Sequence, residues 1–173
     1  MTILETERLI IREVESDIDA EFMLELLNSP KFIQFIGDRN VRTIEESREF
    51  IRTRYRKSYE DHGYGLYAVD LKSDDTKVGI CGFVRRDTLP APDLGFAFLP
   101  EHEGKGYGFE SASALMKYGR DVLNFDKLLA ITTINNEVSE KLLLKLGFVF
   151  QHINEAPGGE KVKLFRVGLQ DER

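Results

Sequence analysis

The sequence predicts one α+β domain on a mixed, mostly antiparallel seven-stranded sheet flanked by about four helices. Three observations lead there. The runs 64–71, 77–86 and 93–99 read as consecutive short strands separated by turn residues, the pattern of an antiparallel meander. The stretch 93–133 reads strand, helix, strand, which places its two strands parallel with a right-handed crossover. The helical runs are amphipathic or capped and alternate with the strands rather than forming a bundle.

Taken in order, residues 8–14 alternate and form the first strand. Ser16 or Asp17 caps a helix running to about Leu27. Asn28-Ser29-Pro30 ends it, because the residue before proline avoids the helical region. Thr43-Ile44-Glu45-Glu46 is a capping box that opens a helix over 44–59, and Asp61-His62-Gly63 breaks it. The strands 64–71 and 77–86 are joined by a polar turn at 72–76. Leu89-Pro90-Ala91-Pro92 is a loop before the strand 93–99. A helix over 106–123, a strand over 127–133 and a helix over 136–146 follow, the last closed by Gly147 at the position after the cap. The strands 148–154 and 161–169 finish the chain around Pro157-Gly158-Gly159. Residues 1–173 therefore make a single domain.

Composition narrows the functional classes. With 173 residues and 42% hydrophobic residues the chain has material for a full core, and such a length buries roughly 70% of its unfolded surface. Nowhere is there an apolar run of about 18 residues, so no membrane span is expected. Met1-Thr2-Ile3-Leu4-Glu5 lacks the basic-then-apolar order of a signal peptide, and a cytoplasmic protein is expected. The single cysteine, Cys81, lies in an apolar run and reads as an inert core thiol. A formal charge of −6 disfavours nucleic-acid binding and steers cationic partners toward the protein. The basic stretch 48–57 has its apolar residues at helical spacing and reads as a solvated helix face. His62 and His152 are isolated, and no metal-ligand spacing appears. A monomer and a homodimer are both compatible with the chain.

The most informative segment is Glu103-Gly104-Lys105-Gly106-Tyr107-Gly108, which joins the strand ending at Leu99 to a helix. The first amides of a helix have no partner within it and meet the positive end of its dipole, so an anion fits there. Glycines let the main chain approach without Cβ obstruction. The spacing excludes a Walker A loop, since no Ser or Thr follows Gly106, and a G-x-G-x-x-G fingerprint, since Phe109 holds the last position. A ligand-free strand-to-helix turn and a pyrophosphate site both remain.

A second segment distinguishes them. Asn136-Glu137-Val138-Ser139 opens a helix that ends in Lys145-Leu146-Gly147-Phe148. Together the two segments resemble the paired signatures of the GNAT superfamily, the GCN5-related N-acetyltransferases. The first signature, Gln/Arg-x-x-Gly-x-Gly/Ala, is matched except at Glu103; the second is matched at Asn136, Ser139, Lys145, Gly147 and Phe148. Thr6-Glu7-Arg8-Leu9-Ile10-Ile11-Arg12 resembles the first strand of the RimJ/RimL-type branch.

The resemblance implies a fold in which the fourth and fifth strands splay and acyl-CoA lies in the gap, with acetyl-CoA as donor to an amine acceptor, a peptide N-terminus or a small molecule. It implies that amides from Gly104 to Gly108 hold the pyrophosphate and that main-chain groups of Phe98 and Leu99 pair with the pantetheine arm. Lys105 adds a charge or is an exposed turn lysine; Tyr107 stacks on the ligand or packs into the core. Asn136 contacts the pantetheine side or is an N-cap, and the two roles are compatible. Glu103 would repel a pyrophosphate unless its carboxylate turns away. Ser139 is read as a hydrogen-bond donor to the departing sulfur, or as a first-turn serine. Asp93 is the first choice of general base, ahead of Glu101, His102 and Glu103, and a water relay serves equally. Acceptor recognition is expected around Phe32 and Phe35, within 32–38, unless that loop folds onto the core. The implied activity is N-acetyl transfer; the alternative is an acyl-CoA-binding sensor or partner-binding module of the same fold.

Overall fold

The computed structural model describes residues 1–156 and 158–170. The chain runs β1 (Thr2–Glu5), β2 (Leu9–Glu13), α1 (Ser16–Leu27), α2 (Pro30–Phe35), α3 (Ile44–Phe50), α4 (Lys57–His62), β3 (Leu66–Leu71), β4 (Lys77–Val84), β5 (Asp93–Phe98), α5 (Tyr107–Asp121), β6 (Lys127–Thr133), α6 (Glu137–Lys145), β7 (Val149–Glu155) and β8 (Lys161–Gly168). A π-helical stretch, Ile51–Arg56, joins α3 to α4 into one continuous rod, and a short 3₁₀ turn, Pro100–His102, precedes α5. Among the described residues the strands form one eight-stranded sheet in the order β1-β2-β3-β4-β5-β6-β8-β7, antiparallel except at β5–β6. No helix among the described residues is long and apolar enough to cross a membrane.

Alternation along the strands divides the core in two. Leu94, Leu128 and Phe165 point to one face, where Ala112 and Leu115 of α5 and Leu143 of α6 cover them. Ala68, Ile80 and Ala97 point to the other, beneath Phe22, Met23 and Leu26 of α1 and Ile51 and Tyr55 of the π stretch. The fold is the α+β mixed sheet expected, with three local corrections. An eighth strand, β1, precedes the first expected one and is pinned by the turn Thr6 N to Leu9 O at 2.9 Å. Pro30 both ends α1 and supplies the first turn of α2, where a missing N–H does no harm. The cap of α1 is Glu15, without a side-chain bond, rather than Ser16 or Asp17; the first turn is fixed instead by Asp19, whose carboxylate accepts from Glu15 N at 2.7 Å.

Two expected caps are present. Thr43 Oγ1 accepts from Glu46 N at 3.1 Å and starts α3. Phe148 N reaches Leu143 O and Gly147 N reaches Leu144 O, the paired bonds of a Schellman motif, with Gly147 at φ 97°. The expected Pro157 corner of the last turn lies outside the described residues.

A buried ion network ties β2 to α1 and β3. Arg12 of β2 bonds Asp19 of α1 at 2.8 Å and Asp70 of β3 at 2.7 Å, and Lys77 stands 3.0 Å from Asp19. Burial pushes the Asp19 carboxyl up, but Arg12 and the Glu15 amide outweigh it and hold it below the usual range. At Asp70 burial wins over Arg12 and the carboxyl titrates high. Replacing Arg12 by Met strands two buried carboxylates and is expected to lower stability by about 3–5 kcal/mol near neutral pH. The loss should shrink as pH falls through about 4 and the carboxylates protonate. Urea denaturation at several pH values reads both effects; an unchanged midpoint at pH 7 contradicts the assignment.

Candidate active site

The candidate site starts where the sheet opens. Strands β5 and β6 pair at one register position, Asp93 with Leu129, where Leu129 N donates to Pro92 O at 3.0 Å. Beyond it they part. On its other side β5 is fully paired with β4, and Leu99 N donates to Val78 O at 2.9 Å. Because main-chain groups alternate between the two edges of a strand, Gly95 and Ala97 face β4, whereas Phe96 and Phe98 turn their amides and carbonyls into the gap. Phe98 thus offers the edge expected of it. Leu99 does not: its amide is taken by Val78 and its carbonyl by His102 N at 2.9 Å. Phe96 is the residue the sequence reading passed over, and two-residue periodicity back from Phe98 is the signal that finds it.

At the mouth of the gap the chain makes the glycine turn. Gly104 and Gly106 have φ of 74° and 85°, a region that L side chains seldom adopt. Gly106 caps α5, and a Cβ on Gly104 would meet only open space. The main-chain N–H groups of residues 104–109 have no hydrogen-bond partner among the described residues, since the next amide, Glu110 N, is the first to bond back, to Gly106 O. Six amides are therefore left at the positive end of a 15-residue helix.

Side chains fix this turn from below. Glu110 accepts from Thr6 Oγ1 at 2.5 Å, from Arg8 N at 2.9 Å and from Arg8 Nε at 2.7 Å. Arg8 Nη1 donates to Lys105 O at 2.9 Å, and its guanidinium lies 4.7 Å over the Tyr107 ring. Burial pushes the Glu110 carboxyl up, but the bonds from Thr6 and Arg8 outweigh it and the net shift is down. Tyr107 packs against the core, as its second reading had it. An open cleft of about 590 Å³ runs along this clamp, lined by Thr6, Arg8, Gly106, Phe109, Glu110 and Lys145. Lys145 Nζ stands 4.3 Å over the Phe109 ring, so two cations flank the unpaired amides. The side chain of Lys105 is exposed. Glu103 turns away from the cleft edge to Lys31 of α2, at 2.6 Å. That pairing answers the charge conflict raised by the sequence.

Asn136 is the N-cap of α6, its Oδ1 accepting from Ser139 N at 3.3 Å. Ser139 is half-buried, and its hydroxyl has no partner among the described residues. Asp93 sits at the apex of the gap, 1% exposed, bonded by Arg86 Nε at 3.0 Å. Burial pushes its carboxyl up, against Arg86, to about 6. The expected acceptor pair is divided: Phe32 is buried in the core under α1, and Phe35 lines a second pocket of about 310 Å³ with Gln34, Thr133 and Asn135. In that pocket the Thr133 hydroxyl is buried without a partner, a donor left for a guest. His102 also buries an unpartnered Nδ1.

Because three donors converge on Glu110, Glu110→Ala is expected to destabilise the fold by about 1–3 kcal/mol in urea denaturation. A change below about 0.3 kcal/mol would mean that the clamp does not hold the turn.

A family model described as an acetyltransferase (GNAT) domain matches residues 8–149. The uncharacterized N-acetyltransferase YoaA of Bacillus subtilis (strain 168) is 29% identical over 147 residues, spanning 84% of this chain and 82% of YoaA. An acetyltransferase of the GNAT family from Bacillus anthracis superposes with a TM-score of 0.81 at 22% identity, over 99% of this chain and 100% of that one. RimL, a ribosomal-protein alpha-N-acetyltransferase in complex with coenzyme A, superposes with a TM-score of 0.81 at 16% identity, over 97% and 98% of the two chains. The matched span takes in β5, the glycine turn, β6 and α6: the chain belongs to the GNAT acetyltransferase family and is an N-acetyltransferase.

Proposed function

We propose that the protein moves an acetyl group from acetyl-CoA directly to a primary amine, a peptide N-terminus or a small-molecule amine. The observation that carries this reading is the row of unpaired amides at 104–109 standing at the mouth of the gap between β5 and β6. The residues present fit the donor. Six main-chain N–H groups suit a diphosphate, Arg8 and Lys145 add charge, and the free edge at Phe96 and Phe98 suits an extended amide-bearing arm. The non-catalytic alternative was motivated by Glu103 and by the undetermined general base, and the pairing of Glu103 with Lys31 answers the first of these.

When bound, acetyl-CoA supplies an activated acyl group on a thiol of pKa about 8.5, which leaves with modest help. The Ser139 hydroxyl, without a partner among the described residues in the first turn of α6, would donate to that sulfur. The acceptor must lose a proton. At pH 7 this costs about 1.4 kcal/mol for an α-amine and about 4.6 kcal/mol for a lysine, so an amine of low pKa asks less. Asp93, raised to about 6, is ionised at pH 7 and still basic enough to take that proton. Four residues of β6 separate Leu129, opposite Asp93, from Thr133 at the α6 end. At about 3.3 Å each this is about 13 Å, so Asp93 reaches an amine near Ser139 through water.

Two variants test the reading. Asp93→Asn is expected to lower kcat/KM by about 10²–10⁴ and to abolish an acid limb in its pH profile, a limb centred at about 6 in the parent. The same substitution should not cost stability at pH 7. A carboxyl raised in the folded state is bound to more protons there than in the unfolded chain, so its ionisation destabilises as pH rises from about 4 toward its folded value. An unaltered pH profile assigns the proton to solvent instead. Lys31→Ala frees the Glu103 carboxylate and should weaken acetyl-CoA binding about three- to tenfold, with Glu103→Gln added in the same chain restoring it. Calorimetry reads both, and an unrestored double variant contradicts the role given to this pair.

A further inference from the structure

We infer that Thr133 selects the acceptor: its hydroxyl receives an uncharged carboxamide on the amine substrate, in the pocket between α2 and the end of β6. The inference rests on the transferase reading above and names the acceptor class for that site.

Three polar side-chain atoms among the described residues are buried without a hydrogen-bond partner: His102 Nδ1, Thr132 Oγ1 and Thr133 Oγ1. A hydroxyl in that state costs the fold free energy, so its presence calls for a reason. Thr133 has one within reach, since it lines the cavity of about 310 Å³ together with Gln34 and Phe35 of α2 and Asn135. The strand register puts this cavity on the acceptor's side of the reaction. Odd-numbered residues of β6 share one face: Leu129 stands opposite Asp93, and Ile131 and Thr133 follow along it. Asp93 and Thr133 therefore face the same side of the sheet, with the apolar cluster of Leu129, Ile131 and Leu164 between them. The helix that carries Ser139 covers the opposite face through Leu143. The pocket wall is nonetheless bonded to that helix. Asn136 N donates to Thr133 O at 3.3 Å, and Asn136 Oδ1 accepts from Ser139 N at 3.3 Å. An acceptor seated at Thr133 thus approaches the gap from the side of the base, two hydrogen bonds from the helix turn assigned to the sulfur.

The lining sets the class of guest. The Thr133 hydroxyl and the side-chain amides of Gln34 and Asn135 each offer both a donor and an acceptor, beside the ring of Phe35. Glu160 and Lys161 complete the lining with opposite signs and leave it without net charge. Both are exposed, so water screens them and the buried hydroxyl discriminates. A carboxamide uses both capacities of such a lining. A carboxylate brings acceptors only and an ammonium donors only, and either must give up water for a pocket that holds no net opposite charge. An alkyl group of the same shape leaves the Thr133 hydroxyl unpaired.

The test compares three acceptors of nearly equal shape: asparaginyl-alanine amide, its aspartyl counterpart and its leucyl counterpart. Free thiol release with saturating acetyl-CoA gives kcat/KM for each. The asparaginyl acceptor should lead both others by about tenfold. In Thr133→Val the asparaginyl-to-leucyl ratio should fall toward one, chiefly through KM, and in Thr133→Ser most of it should return; comparing variants cancels the differing basicity of the amines. The urea midpoint of Thr133→Val should equal or exceed that of the parent, because the hydroxyl bonds no part of the fold. A lowered midpoint gives the hydroxyl a structural role and overturns the inference. A further measurement is independent of turnover: binding of N-acetyl-asparaginyl-alanine amide, followed by NMR, against its leucyl counterpart. Turnover without preference for the carboxamide, or a preference indifferent to Thr133→Val, overturns the inference and leaves the transferase reading standing. Absence of turnover with every amine removes that reading; Thr133-dependent binding of the asparaginyl ligand would then still uphold the carboxamide pocket, and its absence would end it.

Discussion

A single register position between two strands sets the character of this molecule. β5 and β6 run parallel and hydrogen-bond where Asp93 meets Leu129, then separate while each remains paired on its outer side. Interior sheet edges left open in this way expose main-chain groups that a protein ordinarily satisfies internally. Here the unsatisfied groups fall in two neighbouring sets, at Phe96 and Phe98 along β5 and at the six amides that open α5. The two core layers explain why the gap does not close. Leu94 and Leu128 are fixed under α5 and α6 on one face, and Ala97 is fixed under the α1 side on the other. Drawing the far ends of β5 and β6 together would pull one of these layers apart.

Much of this was legible in the sequence because local rules agreed with the global result. The capping box at Thr43, the Schellman glycine at 147 and the exact span of β6 follow from residue chemistry within a turn or two. The glycine turn was legible for the same reason, since positive φ at Gly104 and Gly106 is a local demand. The missed features are those decided at a distance. β1 is four residues long and exists because β2 offers it an edge. The Glu110 clamp joins residues about a hundred positions apart, and the Lys31 partner of Glu103 lies in a helix whose place no pattern near either residue reveals. Phe32 and Phe35 are three apart on one short helix, yet one is core and the other pocket wall. Leu99 shows the same limit at the scale of one residue: strand parity, unknown before the register, determines that its amide is already engaged.

Charge is distributed in a way that separates holding from acting. Arg12, with two carboxylates, joins β2 to α1 and β3; Glu110, with Arg8 and Thr6, stabilises the turn. Asp19 and Glu110 each accept from several groups, while Asp70 has Arg12 alone. Asp93 has one partner and is nearly inaccessible, so its ionised form is held at some expense to the fold. A group kept in an unfavourable state beside a gap in the sheet is the arrangement expected of a proton acceptor rather than a structural link.

The central claim is that the open β5 edge and the amides of 104–109 are one continuous binding surface for the acyl donor. Amide-resolved NMR titration with acetyl-CoA addresses it most directly. The account predicts that the largest shifts fall on residues 104–109 together with Phe96 and Phe98, while Gly95, Ala97 and Leu99, whose amides face β4, move little. Saturable binding that left both groups unperturbed, or that shifted the odd and even residues of β5 alike, would contradict it.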